Sequence, residues 1–317
     1  MELLQYALRK LFTGIPLVIG VTLVSFLLMV YFGPDKTFDL LGKNPTAEQI
    51  AEVREQLGYN RTFMVRYLEY LRELVTFDFG RSDSTGEEVT SLLARTVPVS
   101  LALALPGFIL GNLLGVMLGL LAAFYRGQRA DKVIMAGAAV GMSISFLIVI
   151  IAFQILFSSS FGLNLFPVRG WDASSFSSYF EYVTVPTLAT VFVALGYNTR
   201  FYRSVIVEEM NRDHVRTARA FGVPTSQLYY KLILKNALIP IITRIMFSIP
   251  VVIISGSLLL ESYFGIPGIG KATYDAIITG DQPLLKAVVA LTAIMLVVVQ
   301  LLTDILYRAV DPRVTLQ

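Results

Sequence analysis

DHVRTARAFGVPTSQLYYKLILKNALIP, residues 213–240, is a polar, basic and helix-forming stretch that separates two long apolar spans. We expect Asp213 to cap a first helix. Gly222 suits the left-handed residue that ends this helix, and the proline two residues later prevents the helix from continuing. Thr225 or Ser226 can then cap a second helix. The stretch therefore predicts a helix–turn–helix elbow that lies outside a membrane.

The first helix of the elbow has a basic face and an apolar face. Arg216 and Arg219 are expected to face solvent, while the other face holds Val215, Ala218 and Phe221. In one interpretation the elbow packs only on the ends of its own helices. The interpretation that the sequence favours is insertion of the apolar face into a groove of a cytoplasmic protein, because an exposed apolar patch is a liability.

The composition is that of a membrane protein. Of the 317 residues, 55% are hydrophobic and only 15% are charged, whereas soluble domains carry about 25% charged residues. Apolar stretches of about 20 residues can cross a bilayer as helices. The sequence predicts six spans, at 11–32, 97–125, 133–157, 185–202, 237–260 and 284–307. We expect the fourth span to be the weakest, since it frays into Asn198, Arg200 and Arg203.

The placement of charge orients the chain, because cytoplasmic loops of membrane proteins carry an excess of Lys and Arg. Residues 200–236 hold seven Lys and Arg side chains, whereas the loops at 158–184 and 262–283 hold only Arg169 and Lys271. The elbow and both termini are therefore expected in the cytoplasm. The predicted fold is an all-α membrane protein with six transmembrane helices, a helical external segment after the first span and a cytoplasmic coupling-helix loop.

Residues 33–96 lie outside in this orientation and are predicted to be helical. Thr46 and Gln49 form a capping box that opens a short helix, which Gly58 ends. A second amphipathic run follows, with apolar residues at helical spacing: Val65, Leu68, Leu71, Leu74 and Val75. Two interpretations stay open. The segment is a small helical cap that rests on the bilayer surface, or it is a landing surface for an external partner.

The sequence offers no credible catalytic or metal site. It has no cysteine and a single histidine, His214, which we expect to be solvated at a helix start, so an all-protein zinc site is excluded. Residues 265–271 fit the pattern of a phosphate-binding loop. However, Ala272 stands where a hydroxyl would bind magnesium, and Pro267 removes a backbone donor. We expect a tight external turn there, and we expect the chain not to be an enzyme.

Polar residues inside apolar spans are costly, which makes them candidates for function. The residues that could line a conduit are Asn112, Ser143, Ser145, Gln154, Asn198, Arg244 and Ser255. Three interpretations of Arg244 stay open: its side chain reaches the headgroups, pairs with an acid such as Asp304, or lines the conduit. No chain of acids runs through the spans, which argues against a proton-coupled carrier.

Several motifs occur in a specific order along the whole chain. They are Thr46-x-x-Gln49, Leu57-Gly58, Tyr67-Leu68, Phe79-Gly80-Arg81-Ser82, Arg216-Thr217-Ala218-Arg219-Ala220-x-Gly222, Lys235-Asn236-Ala237-Leu238-x-Pro240, the segment 261–270, and Asp304-x-x-Tyr307 before Asp311-Pro312-Arg313. Together they resemble the first permease subunit of the dipeptide, oligopeptide and nickel class of bacterial ABC importers. The elbow resembles the cytoplasmic coupling loop of such permeases, often called the EAA loop.

The resemblance implies a subunit of a larger transporter in the bacterial inner membrane. Its partners would be a homologous second permease, two cytoplasmic ATPase subunits, an external or periplasmic substrate-binding protein and the peptide, but no nucleic acid. ATP and magnesium would bind to the ATPases, and this chain would bind no cofactor. Coupling to the ATPase would involve Asp213, Arg216, Thr217, Ala218, Arg219, Ala220 and Gly222. The external gate or binding-protein side would include Glu261, Phe264, Pro267, Gly268 and Asp281.

The expected organisation is a first span at 1–32, an external segment at 33–96, a permease core at 97–311 that includes the coupling loop at 208–236, and a tail at 312–317. The resemblance implies peptide cargo. A nickel chelate, glutathione or an oligosaccharide on the same machinery stays open, as does an ATP-independent carrier or channel. Three features depart from the family pattern. The third span lacks the proline that usually follows its G-x-S, which argues against a kink there, and Arg244 replaces an apolar residue or threonine. In the external loop, Asp281-Gln282-Pro283 replaces the usual Asp-aromatic-Pro.

Overall fold

The computed structural model describes residues 2–33, 37, 41, 45–56 and 58–310, with the backbone alone at 2–8, 10, 11 and 254–257. The helices are α1 (Glu2–Phe32), α2 (Ala47–Gln56), α3 (Phe63–Thr76), α4 (Val89–Phe124), α5 (Arg129–Ser143), α6 (Phe146–Ser158), α7 (Phe176–Met210), α8 (Asp213–Ala220), α9 (Thr225–Phe264), α10 (Ile269–Thr279) and α11 (Gln282–Val310). Five helices are long and apolar enough to cross a membrane, and the bent pair α5–α6, counted as one span, makes six. The predicted helical membrane architecture is therefore confirmed over the described residues.

The chain forms two compact units. One comprises Met1–Val97 and Ala272–Val298, and the other comprises Pro98–Lys271 and Val299–Gln317. The domain boundaries expected from the sequence stay a prediction. The tail at 312–317, Leu57 and the Asp311-Pro312-Arg313 motif lie outside the described residues.

In the first unit, α3 packs against α1 through aromatic rings. Tyr67 and Tyr70 are buried, and the ring of Phe26 stacks on that of Tyr70 with 5.5 Å between centroids. Tyr67 donates a hydrogen bond to the Ile19 carbonyl, and Tyr70 donates one to the Lys286 carbonyl, each at 2.9 Å. Because both hydroxyls find backbone acceptors, the tyrosines can occupy buried positions at little cost.

Two helices form where the sequence predicted them in residues 33–96. The capping box of α2 is confirmed, since the Thr46 N–H donates to Gln49 Oε1 at 2.9 Å and the Gln49 N–H to Thr46 Oγ1 at 3.3 Å. Gly58 follows with φ 69°. Three apolar residues of the amphipathic run in α3 are exposed: Val65, Leu68 and Val75. The buried positions of α3 are taken by tyrosines that bond backbone carbonyls, and both interpretations of the segment stay open.

In the second unit, glycines of α4 allow close contact with α7. A Cβ added at any of four glycines of α4 would lie within 2.9 Å of an atom of α7. These glycines are Gly107, Gly111, Gly115 and Gly119. Their spacing of four places them on one face of the helix, where the absence of side chains permits close helix approach. The fourth span has the lowest mean hydropathy of the five long helices, as expected. Helix α7 continues through Asn198, Arg200 and Arg203 to Met210, because the polar side chains at 198 and 203 find partners on neighbouring helices.

The third span is two helices rather than one. Helix α5 ends at Ser143, α6 begins at Phe146, and the two are bent by 100°. Between them Ile144 is extended (φ −92°, ψ 132°), and so is Ser145 (φ −58°, ψ 137°). The expectation of an unkinked span was therefore wrong. The α5 backbone presses on Gly196 of α7, where an added Cβ would lie 2.8 Å from the Met142 nitrogen, so packing sets the end of α5 without a proline.

Candidate functional site

The elbow forms as predicted, but its caps differ. After α8, Gly222 adopts φ 75° and the Val223 N–H donates back to the Ala218 carbonyl at 3.2 Å. The extended residue before α8 is Arg212, so Asp213 is the first helical residue and not the cap. Pro224 likewise precedes α9 and already supplies an extended residue, so neither Thr225 nor Ser226 caps it. The second helix of the elbow continues directly into the fifth span.

Buried side chains fix the elbow to the second unit. Val215 of α8 and Ile233 of α9 are fully buried, and they pack in one cluster with Tyr202 of α7. Phe221 at the turn is 84% exposed. The other elbow residues expected to couple are exposed, apart from the half-buried Ala218: Asp213, Arg216, Thr217, Arg219, Ala220 and Gly222. The elbow is therefore a supported structure with an aromatic ring exposed at its tip.

His214 lies exposed at the start of α8, as expected, and its ring also has polar partners. Its Nε2 lies 3.2 Å from Glu209 Oε1 and 3.1 Å from Asn236 Nδ2. Glu209 is buried near the end of α7, and its other oxygen pairs with Arg212 Nε at 2.9 Å. A buried carboxylate needs such partners. The cluster ties α7 to the elbow and to α9.

A cavity of about 620 Å³ opens in the second unit beside the break between α5 and α6. The described residues of its lining are mostly apolar, and none of them carries a formal charge. Ser143, Ser145 and Tyr197 contribute hydroxyls to the lining. Two of the seven conduit candidates, Ser143 and Ser145, therefore line the same cavity.

Three other conduit candidates hold helices together. Asn112 Oδ1 accepts hydrogen bonds from the Tyr202 hydroxyl at 2.6 Å and from Asn198 Nδ2 at 3.2 Å, which links α4 to α7. Gln154 Oε1 accepts one from the Tyr263 hydroxyl at 2.6 Å, which links α6 to α9. Because these amides are already used between helices, they support the walls of the second unit.

Arg244 is not among the residues that line that cavity. The guanidinium of Arg244 lies over the ring of Phe201, with Cζ 5.3 Å from the ring centroid. Arg244 lines a separate cavity of about 530 Å³ together with Phe201 and Phe247. The side chain of Ser255 lies outside the described residues. The three interpretations of Arg244 that the sequence left open stay predictions.

Glu261 organises the turn after α9 through a network of buried hydrogen bonds. Ser100 Oγ donates to Glu261 Oε1 at 2.5 Å, and the Lys271 N–H donates to Oε2 at 2.9 Å. Ser100 Oγ also accepts from the Ile269 N–H at 2.8 Å. A Cβ on Gly268 would lie 2.4 Å from Glu261 Cδ, so only glycine admits this approach. We call Ser100, Glu261, Gly268, Ile269 and Lys271 the Glu261 network.

The Glu261 network uses backbone donors that a phosphate-binding loop would need. Two of its donors are backbone N–H groups at the start of α10, where a helix favours negative charge. An internal carboxylate and its serine occupy these donors. The expected tight turn is confirmed by Gly265, which adopts φ 71°. Phe264 is buried, and Pro267 is exposed.

Asp281 organises the loop before α11 in a similar way within the first unit. It is fully buried and accepts hydrogen bonds from Ser82 Oγ at 2.5 Å and Ser84 Oγ at 2.8 Å. Its other oxygen accepts from the Leu284 N–H at 3.2 Å, so Asp281 caps α11. Burial alone would raise the pKa of Asp281, but the hydrogen bonds from Ser82, Ser84 and Leu284 outweigh it and hold that pKa below its ordinary value of 3.8.

A pair that the sequence did not reveal joins α5 to α7. Arg203 donates two hydrogen bonds to Asp131, from Nε at 2.6 Å and from a terminal nitrogen at 2.7 Å. The Gly127 N–H also donates to Asp131, at 2.9 Å. The Asp131 side chain is only 7% exposed. The available signal was an acid at the edge of an apolar span, which must find a basic partner if it is buried.

Comparison with known proteins shows the family. Residues 115–316 match the family described as binding-protein-dependent transport system inner membrane component, and residues 3–104 match the N-terminal part of such membrane components. The chain belongs to this family. It is a permease, the membrane component of an ABC importer, and ATP is hydrolysed by partner subunits. The permease itself is therefore not an enzyme.

Relatives match this permease over nearly its whole length. The dipeptide transport system permease protein of Lactococcus lactis subsp. cremoris is 33% identical over 99% of this chain and 100% of the relative. The oligopeptide transport system permease protein of Bacillus subtilis is 30% identical, with 98% of each chain covered. A putative peptide transport system permease protein of Brucella abortus is 31% identical over 97% of this chain and 98% of the relative.

A solved structure shares the fold of this permease. It is a chain of the inward-facing MetNI methionine ABC transporter. The match covers 70% of the present permease and 97% of the transporter chain, with a TM-score of 0.55 and 19% identity. At this identity the likeness concerns the fold alone.

Proposed function

We propose that this permease and a homologous second permease together form the path that carries di- or oligopeptides across the bacterial inner membrane. The observation that carries the proposal is the alignment with the dipeptide permease of Lactococcus lactis, 33% identical over 99% of this chain and 100% of the relative. This alignment includes the external segment and the loops as well as the spans. It therefore supports a shared cargo class in addition to a shared fold.

The cavity beside the α5–α6 break suits such a cargo. Its volume of about 620 Å³ lies within the range of about 300–1,000 Å³ that is usual for small-molecule sites. The Ser145 hydroxyl can donate to a peptide carbonyl or accept from a peptide N–H. The Ser143 hydroxyl already donates to the Ala139 carbonyl at 2.8 Å, so it can accept from a peptide N–H. An uncharged and mostly apolar wall accommodates varied side chains without holding any of them tightly. Arg244 is proposed as a second part of the path.

We propose that the elbow docks into a groove of one of two cytoplasmic ATPase subunits, which bind ATP and magnesium. Phe221 supports this, because it is 84% exposed on a rigid base that Val215 anchors. Exposed aromatic residues dominate the energetics of many interfaces. Packing of the elbow only on its own helix ends would leave Phe221 without a role. The elbow and both termini would then lie in the cytoplasm, in agreement with the basic residues at 200–236.

The external side is proposed to receive a substrate-binding protein at the turn after α9. Pro267 is exposed there and would provide direct contact. Glu261, Gly268 and Phe264 are buried, so their contribution is to fix the shape of the turn. Asp281 likewise fixes the loop before α11 and presents no charge to a partner.

The test is uptake of a labelled set of di- to pentapeptides into proteoliposomes. The proteoliposomes contain the permease with the second permease and ATPases encoded beside it, with ATP inside and the binding protein outside. We expect uptake that requires both ATP and binding protein. The variant Phe221→Ala should lower uptake about tenfold or more, as expected for loss of an interface anchor. Phe161→Ala is the matched control, because Phe161 is 97% exposed in the predicted external loop.

Each other outcome discriminates between the remaining functions. Uptake that ignores ATP would indicate a carrier or channel and would refute the importer. ATPase activity stimulated by a nickel chelate, glutathione or an oligosaccharide, without peptide uptake, would retain the importer and refute the peptide cargo. Equal uptake by the Phe221 and Phe161 variants would refute docking through the elbow tip.

A further inference from the structure

A polar cavity in the first unit lies where two apolar spans end. It measures about 380 Å³ and is lined by residues 29–31 of α1, by residues 59–61, by α3 and by Gln282 of α11. The apolar span in α1 ends at Phe32, and the span in α11 begins at Gln282. Because two separate spans terminate beside it, the cavity lies at the boundary of the hydrocarbon layer. This is the depth of the lipid headgroups.

Three guanidinium groups line this cavity: Arg54, Arg61 and Arg66. Arg61 is paired with Glu69 at 2.5 Å. Arg66 is held differently, with Cζ 5.3 Å from the ring centroid of Tyr59 and 5.9 Å from that of Phe26. The ion pairs found between described residues do not include Arg66. Stacking on rings uses the faces of a guanidinium and leaves its N–H edge able to bind two oxygens of one anion.

We propose that this cavity binds the phosphate of an anionic phospholipid, with Arg66 as the principal ligand. A phosphodiester presents two oxygens that match the planar fork of arginine, and charge-assisted hydrogen bonds of this kind are about twice as strong as neutral ones. Tyr59 and Asn60 in the same lining can bond the hydroxyls of a glycerol headgroup. The site thus has a ligand for the charge and partners for the polar remainder of the lipid.

The surroundings of the cavity favour a lipid over a soluble anion. Helix α1 exposes a column of apolar side chains below the cavity: Val24, Leu27 and Leu28. Acyl chains of a lipid seated by its phosphate can run along this column. Tyr31 and Phe32 at the end of the span are 67% and 79% exposed, which is typical of aromatic residues at a membrane interface. A free phosphate would use none of these contacts.

A lipid bound here would connect α1, α2, α3 and α11, since all four helices or their flanking turns contribute to the lining. The external segment would then be held on the bilayer by a specific lipid and not only by nonspecific apolar contact. This agrees with the interpretation of residues 33–96 as a cap on the bilayer surface. The inference requires only that the chain spans a membrane, and it is independent of the cargo.

The test measures lipid binding to the full-length permease, purified with the subunits that accompany it and then delipidated. Phosphatidylglycerol, phosphatidylcholine and inorganic phosphate are added separately, and retention is measured by native mass spectrometry and by the thermal unfolding midpoint. We expect phosphatidylglycerol to bind and stabilise the wild type. Arg66→Gln should weaken binding about tenfold, the effect of losing one charge-assisted contact. Arg66→Lys, which keeps the charge but not the fork, should be intermediate and serves if Arg66→Gln does not fold.

The matched control is Arg72→Gln on the same helix, because Arg72 is exposed and does not line the cavity. Retention by Arg72→Gln should equal that of the wild type. Equal losses in the two glutamine variants would show general charge attraction and overturn the proposal. Stabilisation by millimolar inorganic phosphate equal to that by phosphatidylglycerol would show a soluble anion site instead. Unchanged lipid retention in Arg66→Gln, with weaker capture of the binding protein, would assign the cavity to protein docking and would also overturn the proposal.

Discussion

Replacing Gly268 with alanine should open the turn after α9, because the added methyl group has no room. Its Cβ would lie 2.4 Å from Glu261 Cδ and 2.4 Å from Ser100 Oγ, whereas ordinary van der Waals contact begins at 3.4 Å. The carboxylate and the hydroxyl must therefore retreat by about 1 Å, the difference between those two distances. The Ser100–Glu261 hydrogen bond of 2.5 Å and the Lys271–Glu261 hydrogen bond of 2.9 Å cannot both survive such a shift.

The size of the effect follows from the hydrogen bonds that are lost. A hydrogen bond to a charged group contributes about 1.5–3 kcal/mol to stability, and the buried partners left behind have no water to replace it. Loss of one bond in the Glu261 network therefore costs about 1.5–3 kcal/mol, and loss of both about twice that. At about 1.4 kcal/mol for each factor of ten, a cost of about 3 kcal/mol increases local opening about 100-fold.

Hydrogen exchange of the reconstituted complex measures this opening directly. The amides to follow are those of Ile269 and Lys271, which donate into the Glu261 network. Gly137→Ala in α5 is the matched control, because a Cβ there meets nothing within 4 Å. The control should be neutral or more stable by about 0.5–1 kcal/mol. If Gly268→Ala leaves the two amides as protected as in the wild type, the Glu261 network does not hold the turn and the reasoning fails.

Four further substitutions test other parts of the permease. Arg203→Lys keeps the charge but cannot donate two parallel hydrogen bonds to Asp131, and it should lower the free energy of unfolding by about 1–3 kcal/mol. Thermal unfolding measures this loss, and Arg200→Lys at an exposed site is the control that should show none. The folded-state pKa of Asp281 lies below 3.8, so its carboxylate stabilises the protein above that pH. This contribution is lost as the pH falls through the folded-state pKa. Asp281→Asn should therefore reduce the fall of the thermal unfolding midpoint with decreasing pH in the acid range. Gly222→Val strains a residue at φ 75° and should raise the ratio of ATP hydrolysed to peptide carried; an unchanged ratio would contradict the elbow's role. Ser145→Pro should leave the thermal unfolding midpoint unchanged or slightly higher, because φ −58° and the extended residue before it suit proline.

Local chemistry accounts for the parts of the fold that were predicted. Hydropathy located every span, because burial in a lipid layer demands a continuous apolar stretch. It placed helix ends poorly, since α4 begins at Val89 and α7 at Phe176, well before the apolar stretches at 97 and 185. Helical hydrogen bonds continue past the hydrocarbon layer wherever the flanking residues allow it. Hydropathy predicts which part of a helix lies in the hydrocarbon layer, and it does not predict where the helix begins or ends.

In the candidate site, too, features set by neighbouring residues were predicted, whereas contacts between distant residues were not. Gly222 with the following proline predicted the elbow, because a left-handed residue and a helix breaker act within a few positions. Glu261, Asp281 and Ser82 were all found in motifs, but the pairing of each carboxylate with its serine was not predicted. Ser100 is 161 positions from Glu261, and Ser82 is 199 positions from Asp281. No periodicity connects residues so far apart, and only the folded chain shows that these carboxylates are buried and paired.

The break between α5 and α6 shows how motion at the elbow can reach the cavity. A proline would make that break a local property of the span, whereas here it depends on the contact of α5 with Gly196 of α7. The same α7 holds Asp131 through Arg203, and near its end Glu209 contacts His214 of the elbow. One rigid helix therefore joins the proposed ATPase-docking surface to the backbone that shapes the cavity. We infer that displacement of the elbow shifts α7 and changes the bend beside Ser145, which provides a two-state element that ligands on both sides of the membrane can bias.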